Sequence, residues 1–325
     1  MLARHLRLAV ALSAVVAAAA SPAFAQGFPT RPITLIVPFA PGGSTDVIGR
    51  VVSEAMRPHL GQHIVVENRA GAGGSIGTAA IAKAAPDGYT IGMGTASTLA
   101  INPAAYRTLP FDVLTDLAPV GGIAAVPNIM TVNADLPVNT MAQFIAYAKS
   151  RPGKLSYGSS GNGSVSHLMG EQCKLASGTD LIHVPYRGIG PALNDAVAGQ
   201  IQVLFDNLPT SLPLVQAGRL RALAVSGPKR VAALPDVPTF GELGFDDVNW
   251  MAFFGMVAPA GTPPAAIATL NDALNNALAD PAVREKLTAQ QAEVTGGPPE
   301  KFSAEYRKAL EAMRRAVAAA KIEVN

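Results

Sequence analysis

Residues 38–46 read PFAPGGSTD, and this stretch decides the fold class of the chain. The apolar run ITLIV (33–37) precedes it, and the segment VIGRVVSEAM behind it repeats apolar side chains at helical spacing. This order predicts a strand, a glycine turn and the start of a helix. Such a turn leaves backbone N–H groups uncovered at the positive end of the helix dipole, which suits an anion. We therefore predict an anion-holding loop, with Ser44 or Thr45 capping the helix and Asp46 stabilising its first turn.

The same alternation of apolar strands and helical patterns continues along nearly the whole chain. Strand candidates are HIVVE, YTIGM, VPNIMTVN, KLSYGSS, LIHVPY, IQVLFD, RLRALAVS and WMAFFGMVAP. Helical patterns separate most of them. For one of these helices Thr140 is a plausible N-cap, and two amphipathic helices over about 265–278 and 299–320 close the chain. The order predicts an α/β protein with a mostly parallel sheet.

The elements fall into two series, and we predict two lobes with a cleft between them. The first lobe comprises residues 26–124 and 249–325, and the second lobe, residues 125–248, is inserted in it. The two crossings then lie near Ala124 and Asn249. The alternative is one continuous sheet of the same elements, which periodicity does not distinguish.

The first 25 residues have the composition of a cleaved secretory signal. Arg4 and Arg7 precede an apolar stretch (8–20) and the small-residue site AFA at 23–25. A membrane anchor is the alternative, but it needs about 20 apolar residues. We predict cleavage after Ala25. Since no cysteine lies near this site to carry a lipid anchor, the expected compartment is the periplasm.

Charge and cysteine content exclude several classes of function. Loss of the signal removes two arginines and leaves 23 basic residues against 23 acidic ones, a balance that does not favour nucleic acid or an anionic membrane. Cys173 is the only cysteine and lies in a helical pattern, where we expect a buried, inert thiol without a disulfide. His59 and His63 are four residues apart, but Gly61 separates them and no third ligand is near. We therefore expect solvent-exposed histidines, no metal site and no cofactor.

Four further loops repeat the theme of the first one. They are RAGAGGSIG (69–77), GTAST (94–98), YGSSGNGSVSH (157–167) and YRGIGPA (186–192). Each joins a strand candidate to a helical pattern. Because ligands of open α/β folds gather outside the carboxyl ends of the strands, these loops predict one shared ligand site.

A catalytic interpretation of these loops is weaker. GGSIG (73–77) matches the nucleophile elbow of α/β-hydrolases, with Ser75 as nucleophile and Asp206 or Asp180 with His183 as partners. Only Asp180 precedes His183, by three residues, which is not the usual separation. A glycine loop packed against a helix start explains GGSIG without chemistry, and a strand histidine is more often a satisfied core residue. A serine hydrolase remains the enzyme alternative.

The chain resembles the Bug-type substrate-binding proteins of tripartite tricarboxylate transporters. The segments that carry the resemblance include PFAPGGSTD, ENRAGAGGSIG, APDGYTIGMGT, YGSSGNGSVSHL, HVPYRGIGPALNDAVAGQIQVLFDN and LPDVPTFGELG. The match covers essentially the whole mature chain in the family's order. It implies a two-lobed periplasmic binding protein, type II-like and monomeric, that catalyses no reaction. Such a protein closes a hinged cleft on a small carboxylate and delivers it to membrane permease subunits. A periplasmic sensor with a signalling partner is the alternative, because it would use the same closure.

The resemblance also implies a set of ligand-binding residues in the loops described above. These are Phe39, Ala40, Gly42, Gly43, Thr45, Asp46, Thr95, Ser97, Ser159, Ser160, Gly161, Ser164, His167, Gly188, Ala192 and Asp206. The chain departs from the family near Cys173, where an aromatic residue is missing, and in the last helix, which carries Met313-Arg314-Arg315 where a tryptophan is common. These departures concern packing or surface. The resemblance does not fix which carboxylate is bound.

The loops themselves indicate how a carboxylate would be held. Apart from Arg69 and Arg187 they contain no cation, so backbone N–H groups, hydroxyls, helix dipoles and bridging waters would replace an arginine fork. An inward-facing, anionic Asp206 would disfavour a second carboxylate and favour an ammonium or hydroxyl. Trp250, the only tryptophan, is predicted to begin the strand WMAFFGMVAP beside the second crossing, where closure would change its packing. An ordinary core position is the alternative for this ring.

Overall fold

The computed structural model describes residues 27–324. The predicted signal segment, residues 1–25, lies outside the described residues. The strands in chain order are β1 (Ile33–Val37), β2 (Ile64–Asn68), β3 (Thr90–Thr95), β4 (Leu117–Val126), β5 (Asn128–Asn133), β6 (Leu155–Ser159), β7 (Leu181–Pro185), β8 (Val203–Asn207), β9 (Leu220–Val225), β10 (Ala252–Pro259) and β11 (Glu293–Val294). The helices are α1 (Ser44–Leu60), α2 (Ser75–Ala82), α3 (Asn102–Ala105), α4 (Met141–Lys149), α5 (Val165–Ser177), α6 (Ile189–Val197), α7 (Leu208–Gln216), α8 (Pro264–Ala279), α9 (Pro281–Ala289) and α10 (Pro299–Ala319).

The strands form two sheets, one in each lobe. The first sheet has the order β11-β4-β10-β3-β1-β2 and the second has the order β7-β6-β8-β5-β9. Because the second sheet is built from a continuous part of the chain while β10 and β11 return to the first, the second lobe is inserted in the first. The predicted two-lobed α/β fold is confirmed, and the alternative of one continuous sheet is wrong.

The expectation of a mostly parallel sheet is wrong, because both sheets are mixed. β1 pairs in parallel with β2 and β3, whereas β10 runs antiparallel to β3 and β4. In the second sheet β6 pairs in parallel with β7 and β8, whereas β5 runs antiparallel to β8 and β9. The antiparallel strands β5 and β10 are the ones by which the chain enters the second lobe and returns from it. Their direction is set by that passage rather than by a βαβ crossover.

The two passages between the lobes lie side by side and are hydrogen-bonded to each other. At the first passage β4 ends at Val126 and β5 begins at Asn128, so only Pro127 separates a strand of one sheet from a strand of the other. The side-chain amide of Asn128 donates to the backbone oxygen of Trp250 at 2.6 Å. Trp250 precedes the returning strand, which begins at Ala252, so the expectation that this tryptophan begins the strand is wrong. The lobe boundaries at residues 124/125 and 248/249 stay a prediction.

Sequence patterns account for the local structure of several helices. The predicted cap at Thr140 is confirmed, since its hydroxyl accepts a hydrogen bond from the Gln143 N–H at 3.2 Å. Helix α1 presents Ile48, Val52 and Met56 to the core at helical spacing, and each is fully buried. Helices α8 and α10 coincide within two residues with the two predicted near the end of the chain.

Candidate functional site

The loop that opened the sequence analysis joins β1 to α1 at the edge of the first lobe. Its N-cap residue is Gly43, which has an extended backbone and makes no side-chain capping bond, so the expected cap by Ser44 or Thr45 is wrong. Asp46 instead reaches back and accepts a hydrogen bond from the Gly42 N–H at 3.1 Å. The hydroxyls of Ser44 and Thr45 are therefore not used in capping, and both line a cavity between the lobes.

Asp46 faces away from that cavity. Burial would raise its pKa, but hydrogen bonds from Arg50 and Asn68 and from the Gly42 N–H outweigh burial and hold the pKa below its ordinary value. The Arg50 guanidinium lies 2.9 Å from the carboxylate, and the Asn68 amide donates to it at 2.9 Å. Asp46 therefore fixes the first turn of α1, as the sequence predicts, and the guanidinium of Arg50 neutralises its charge.

The second lobe presents a matching loop between β6 and α5. Ser164 caps α5, accepting a hydrogen bond from the His167 N–H at 3.3 Å. The Ser166 hydroxyl accepts from the Ser160 N–H at 2.8 Å. The Gly163 N–H donates to His167 Nδ1 at 3.1 Å. These bonds fix the conformation of the loop from within the second lobe.

Two histidines pack next to this loop and stabilise it. The rings of His167 and His183 stack with centroids 4.1 Å apart, and Tyr157 stacks on the other side of His183 at 4.8 Å. His183 Nε2 lies 2.6 Å from the Ser159 hydroxyl. Burial lowers the pKa of His167 to about 4 and that of His183 to about 3, so both rings are neutral at pH 7. His183 is thus a satisfied structural histidine, as the sequence favours.

The residues proposed for a serine hydrolase do not assemble. The Ser75 hydroxyl donates to Asn102 at 3.0 Å, while His183 is bonded to Ser159. Asp180 is exposed at the start of β7 and Asp206 is bonded to hydroxyls of α7. The arrangement holds no nucleophile–base pair at Ser75, so the hydrolase alternative has no geometric support.

Asp206 is the residue before the last in β8 and lines the cavity from the second lobe. Its carboxylate accepts hydrogen bonds from the hydroxyls of Thr210 and Ser211 at 2.5 and 2.7 Å and from the Asn207 N–H at 2.6 Å. Burial raises its pKa to about 6, because these three bonds only partly offset the loss of water. Asp206 is therefore an anion above about pH 6.

The loops of the two lobes border one cavity that lies between them. Residues at the N-terminal ends of four helices, α1, α5, α6 and α7, line it. Seven of the sixteen residues named from the sequence line the cavity: Phe39, Gly43, Thr45, Thr95, Ser97, Ser160 and Asp206. Nine others do not: Ala40, Gly42, Asp46, Ser159, Gly161, Ser164, His167, Gly188 and Ala192. Ligand contact by any of these residues stays a prediction.

Several of those nine residues hold the lobes together instead. The backbone of residues 40–43 lies against residues 188–190 of the other lobe, and we call this contact the glycine seam. A Cβ atom placed on Gly188 would lie 2.8 Å from the Ala40 nitrogen, and one on Gly190 would lie 2.8 Å from the Pro41 oxygen. Real Cβ atoms essentially never approach other atoms so closely. Glycine at these positions therefore lets the two backbones touch.

Hydrogen bonds cross between the lobes beside the seam. The Val165 N–H, at the start of α5, donates to the Ser97 hydroxyl at 3.0 Å. The Asn102 amide donates to the Gly163 oxygen at 2.9 Å, and the Tyr106 hydroxyl donates to the Asn162 oxygen at 3.1 Å. The lobes are thus in direct polar contact around the cavity.

The other residues singled out in the sequence lie away from this site. His59 and His63 are exposed at the end of α1, as expected, and Cys173 is buried, where burial raises the pKa of its thiol to about 12. Within residues 27–324, no three His, Cys, Asp or Glu side chains come together as a metal site would require. Over the same range no helix is both long and apolar enough to span a membrane.

Comparison with known proteins identifies the family. Residues 48–308 match the family model described as "Tripartite tricarboxylate transporter family receptor". BugT of Bordetella pertussis is 41% identical over 274 residues, which cover 84% of each chain. The chain belongs to the Bug-type receptors of tripartite tricarboxylate transporters.

Solved structures of similar proteins show the same fold as this receptor. The periplasmic binding protein BugD superposes with a TM-score of 0.88 at 35% identity, covering 91% of this chain and 99% of that one. Rpa4515 of R. palustris, solved with adipate, gives a TM-score of 0.88 at 38% identity, with the same coverage of 91% and 99%. The two-lobed fold is therefore that of periplasmic binding proteins.

The cavity of the receptor also contains residues that are not among the sixteen ligand-binding residues named from the sequence. They are Ser44, Ala96, Val165, Ser166, Ile189, Asn207, Ala252, Phe253 and Phe254. Most lie within or directly after the loops named from the sequence. Treating every residue of each loop as a candidate would therefore have included them. Ala252, Phe253 and Phe254 come from the start of β10. Their place follows from the antiparallel direction of that strand, which carries no local signal.

Proposed function

We propose that this receptor captures a small carboxylate in the cavity between its lobes, in the periplasm, and delivers it to the membrane subunits of a tripartite tricarboxylate transporter. One observation carries the proposal: residues at four helix N-termini converge on a cavity that also contains serine and threonine hydroxyls and no cationic side chain among its described lining residues. Each N-terminus carries a partial positive charge and uncovered N–H groups. That chemistry suits an anion without requiring an arginine.

The expected affinity is compatible with hydrogen bonding alone. Hydrogen bonds to a charged group contribute about 1.5–3 kcal/mol each, so four or five offset the desolvation of one carboxylate. Hydroxyls at Thr45, Ser97 and Ser160 border the cavity beside the helix N-termini. Relatives support this choice of ligand, since Rpa4515 was solved with adipate.

Binding is proposed to close the two lobes about the paired passages near Ala124 and Asn249. The contacts that support this motion are the glycine seam and the bond between Val165 and Ser97, because they join parts of the chain that only meet across the cavity. The receptor is proposed to act as a monomer. Transport rather than signalling is favoured because the family is defined by its transporter.

The test combines identification of the ligand with a matched pair of variants. Native mass spectrometry of the purified receptor should reveal a bound carboxylic acid. The receptor is then freed of this acid by unfolding and refolding, and calorimetry should measure the affinity of the refolded receptor for the acid. Ser97→Ala removes the acceptor of the Val165 N–H and should weaken binding about fivefold or more. Ser53→Ala is the control, since Ser53 is buried in α1 and its hydroxyl has no partner within residues 27–324.

Two outcomes would contradict the proposal. One is the absence of binding across a panel of mono-, di- and tricarboxylates. The other is tight binding of an amine or a neutral sugar instead. Small-angle scattering tests closure separately, since the ligand should make the particle more compact. Delivery is tested by uptake of the identified acid, which should require this receptor together with the permease subunits.

A further inference from the structure

One wall of the cavity is apolar and rigid. Phe39, Ile189, Phe253 and Phe254 line it, and their exposed fractions are between 2% and 7%. Phe253 packs edge-on against Phe302 at 6.1 Å, which fixes it from behind. Such a wall gains free energy by contact with a hydrocarbon body and has no group to solvate a charge.

The polar part of the cavity contains no cationic partner for a carboxylate. Its hydroxyls belong to serine and threonine residues, and among the described residues that line the cavity none is Lys, Arg or His. Arg187, in the loop before α6, is exposed and does not line it. Arg69 is paired with Glu67 at 2.7 Å. A diacid would thus bring a second negative charge into a cavity that has no cation for either carboxylate.

Asp206 adds a repulsive element to this cavity. It is 3% exposed, lines the cavity and is held by Thr210, Ser211 and the Asn207 N–H. A carboxylate has about four acceptor positions, so these bonds leave roughly one free. That position accepts a hydrogen bond and cannot donate one. It therefore suits a hydroxyl or an ammonium and opposes a carboxylate.

From this geometry we infer that the receptor selects acids with a single carboxylate and a largely apolar body, and that Asp206 is the residue that rejects a second carboxylate. This inference rests on the proposed function, because it concerns the same cavity. Rejection by a repulsive group is a common way to obtain specificity. For two charges about 6 Å apart at an effective dielectric constant of about 20, the repulsion corresponds to about 100-fold in affinity.

The experiment uses matched pairs of acids that differ by the second carboxylate. The pairs are hexanoate with adipate, butanoate with succinate, and benzoate with terephthalate. Calorimetry at pH 8 keeps every carboxylate and Asp206 ionised. In each pair in which either acid binds, the monoacid should bind at least tenfold more tightly than the diacid.

Asp206→Asn removes the charge and keeps the shape. In this variant the ratio of monoacid to diacid affinity should fall at least tenfold relative to the parent receptor. Asp180→Asn is the control, because Asp180 is exposed in the same lobe outside the cavity, and it should leave the ratio unchanged. Circular dichroism verifies that each variant is folded. If Asp206→Asn does not fold, the comparison of acid pairs in the parent receptor still decides the question.

The outcomes separate this inference from the proposed function. Diacids that bind as tightly as their monoacids, or more tightly, overturn the inference and leave carboxylate capture standing. An unchanged affinity ratio in folded Asp206→Asn overturns the role of Asp206. Binding of no acid in any pair overturns this inference, and carboxylate capture falls with it only if the wider panel of mono-, di- and tricarboxylates also fails to bind.

Discussion

The glycine seam makes a prediction in which stability and affinity change in opposite directions. Gly190 lies in the first turn of α6, and a Cβ atom there would lie 2.8 Å from the Pro41 oxygen, whereas 3.4 Å is the lower limit of ordinary contact. The obstacle is a backbone carbonyl, which no side-chain rotation can move aside. In Gly190→Ala the two lobes must therefore stay apart by about 0.6 Å at this point, the difference between these two distances.

The magnitude follows from the cost of overpacking. Inserting one methyl group into a well-packed contact typically costs about 1–3 kcal/mol, which corresponds to about 5- to 150-fold in affinity. That cost applies only when the lobes are closed. In the ligand-free protein the alanine removes a helical glycine, which stabilises a helix by up to about 1 kcal/mol. Gly190→Ala should therefore bind its acid more weakly while its melting temperature without ligand stays equal or rises.

Calorimetry and thermal unfolding of the ligand-free protein measure the two effects separately. Gly49→Ala is the matched control. It is also a helical glycine, but an added Cβ would make only ordinary contacts of 3.5 Å with Leu35, Val37 and Met93 of its own lobe. It should raise stability and leave affinity unchanged. An affinity of Gly190→Ala within twofold of the parent would refute the reasoning, because the seam would then not form in the bound state.

Two further predictions concern the tryptophan and the stacked histidines. The indole N–H of Trp250 donates to Gln172 of the other lobe at 3.3 Å, so lobe closure should change the fluorescence of this ring. The change should be saturable with a bound carboxylate and absent with an amine or a neutral sugar. A flat signal from an acid that binds by calorimetry would contradict the hinge near Asn249. Burial holds the pKa values of His167 and His183 at about 4 and 3, below 6.5, so stability should be complete above about pH 6.5 and fall as the unfolded chain takes up protons below it. Each ring should lower the free energy of unfolding by about 2–3 kcal/mol between pH 7.5 and 4.5, as measured by urea unfolding. His167→Gln should remove the share of that ring; equal losses would mean that these rings do not control stability in this range.

The order of strands, turns and helices could be predicted because local sequence patterns specify it. The alternation around PFAPGGSTD gave the α/β class, and Thr140 showed the helix cap that the structure contains. Strand directions could not be predicted, because β5 and β10 take theirs from the passage between lobes. Helix α7 was also missed, since Pro213 within it reads as a turn signal.

The site shows a similar division. Loops rich in glycine, serine and threonine predicted the lining residues Gly43, Ser97 and Ser160, because each loop is continuous in sequence. Phe253 and Phe254 look like ordinary core residues in an apolar strand, and only tertiary structure places them at the cavity. The resemblance supplied Gly188, but its role in backbone contact across the lobes appears only in three dimensions.

The seam also bears on how one scaffold can acquire new ligands. The close backbone contacts of Gly188 and Gly190 are made with Ala40 and Pro41, and none of these four residues lines the cavity, whereas the cavity wall is made of side chains such as Phe39, Asp206 and Phe253. A substitution in the wall therefore changes what is recognised and leaves the surfaces that meet on closure as they were. The close backbone contacts of the seam and the side chains of the wall therefore lie at different positions, so the wall can evolve or be engineered without rebuilding these contacts.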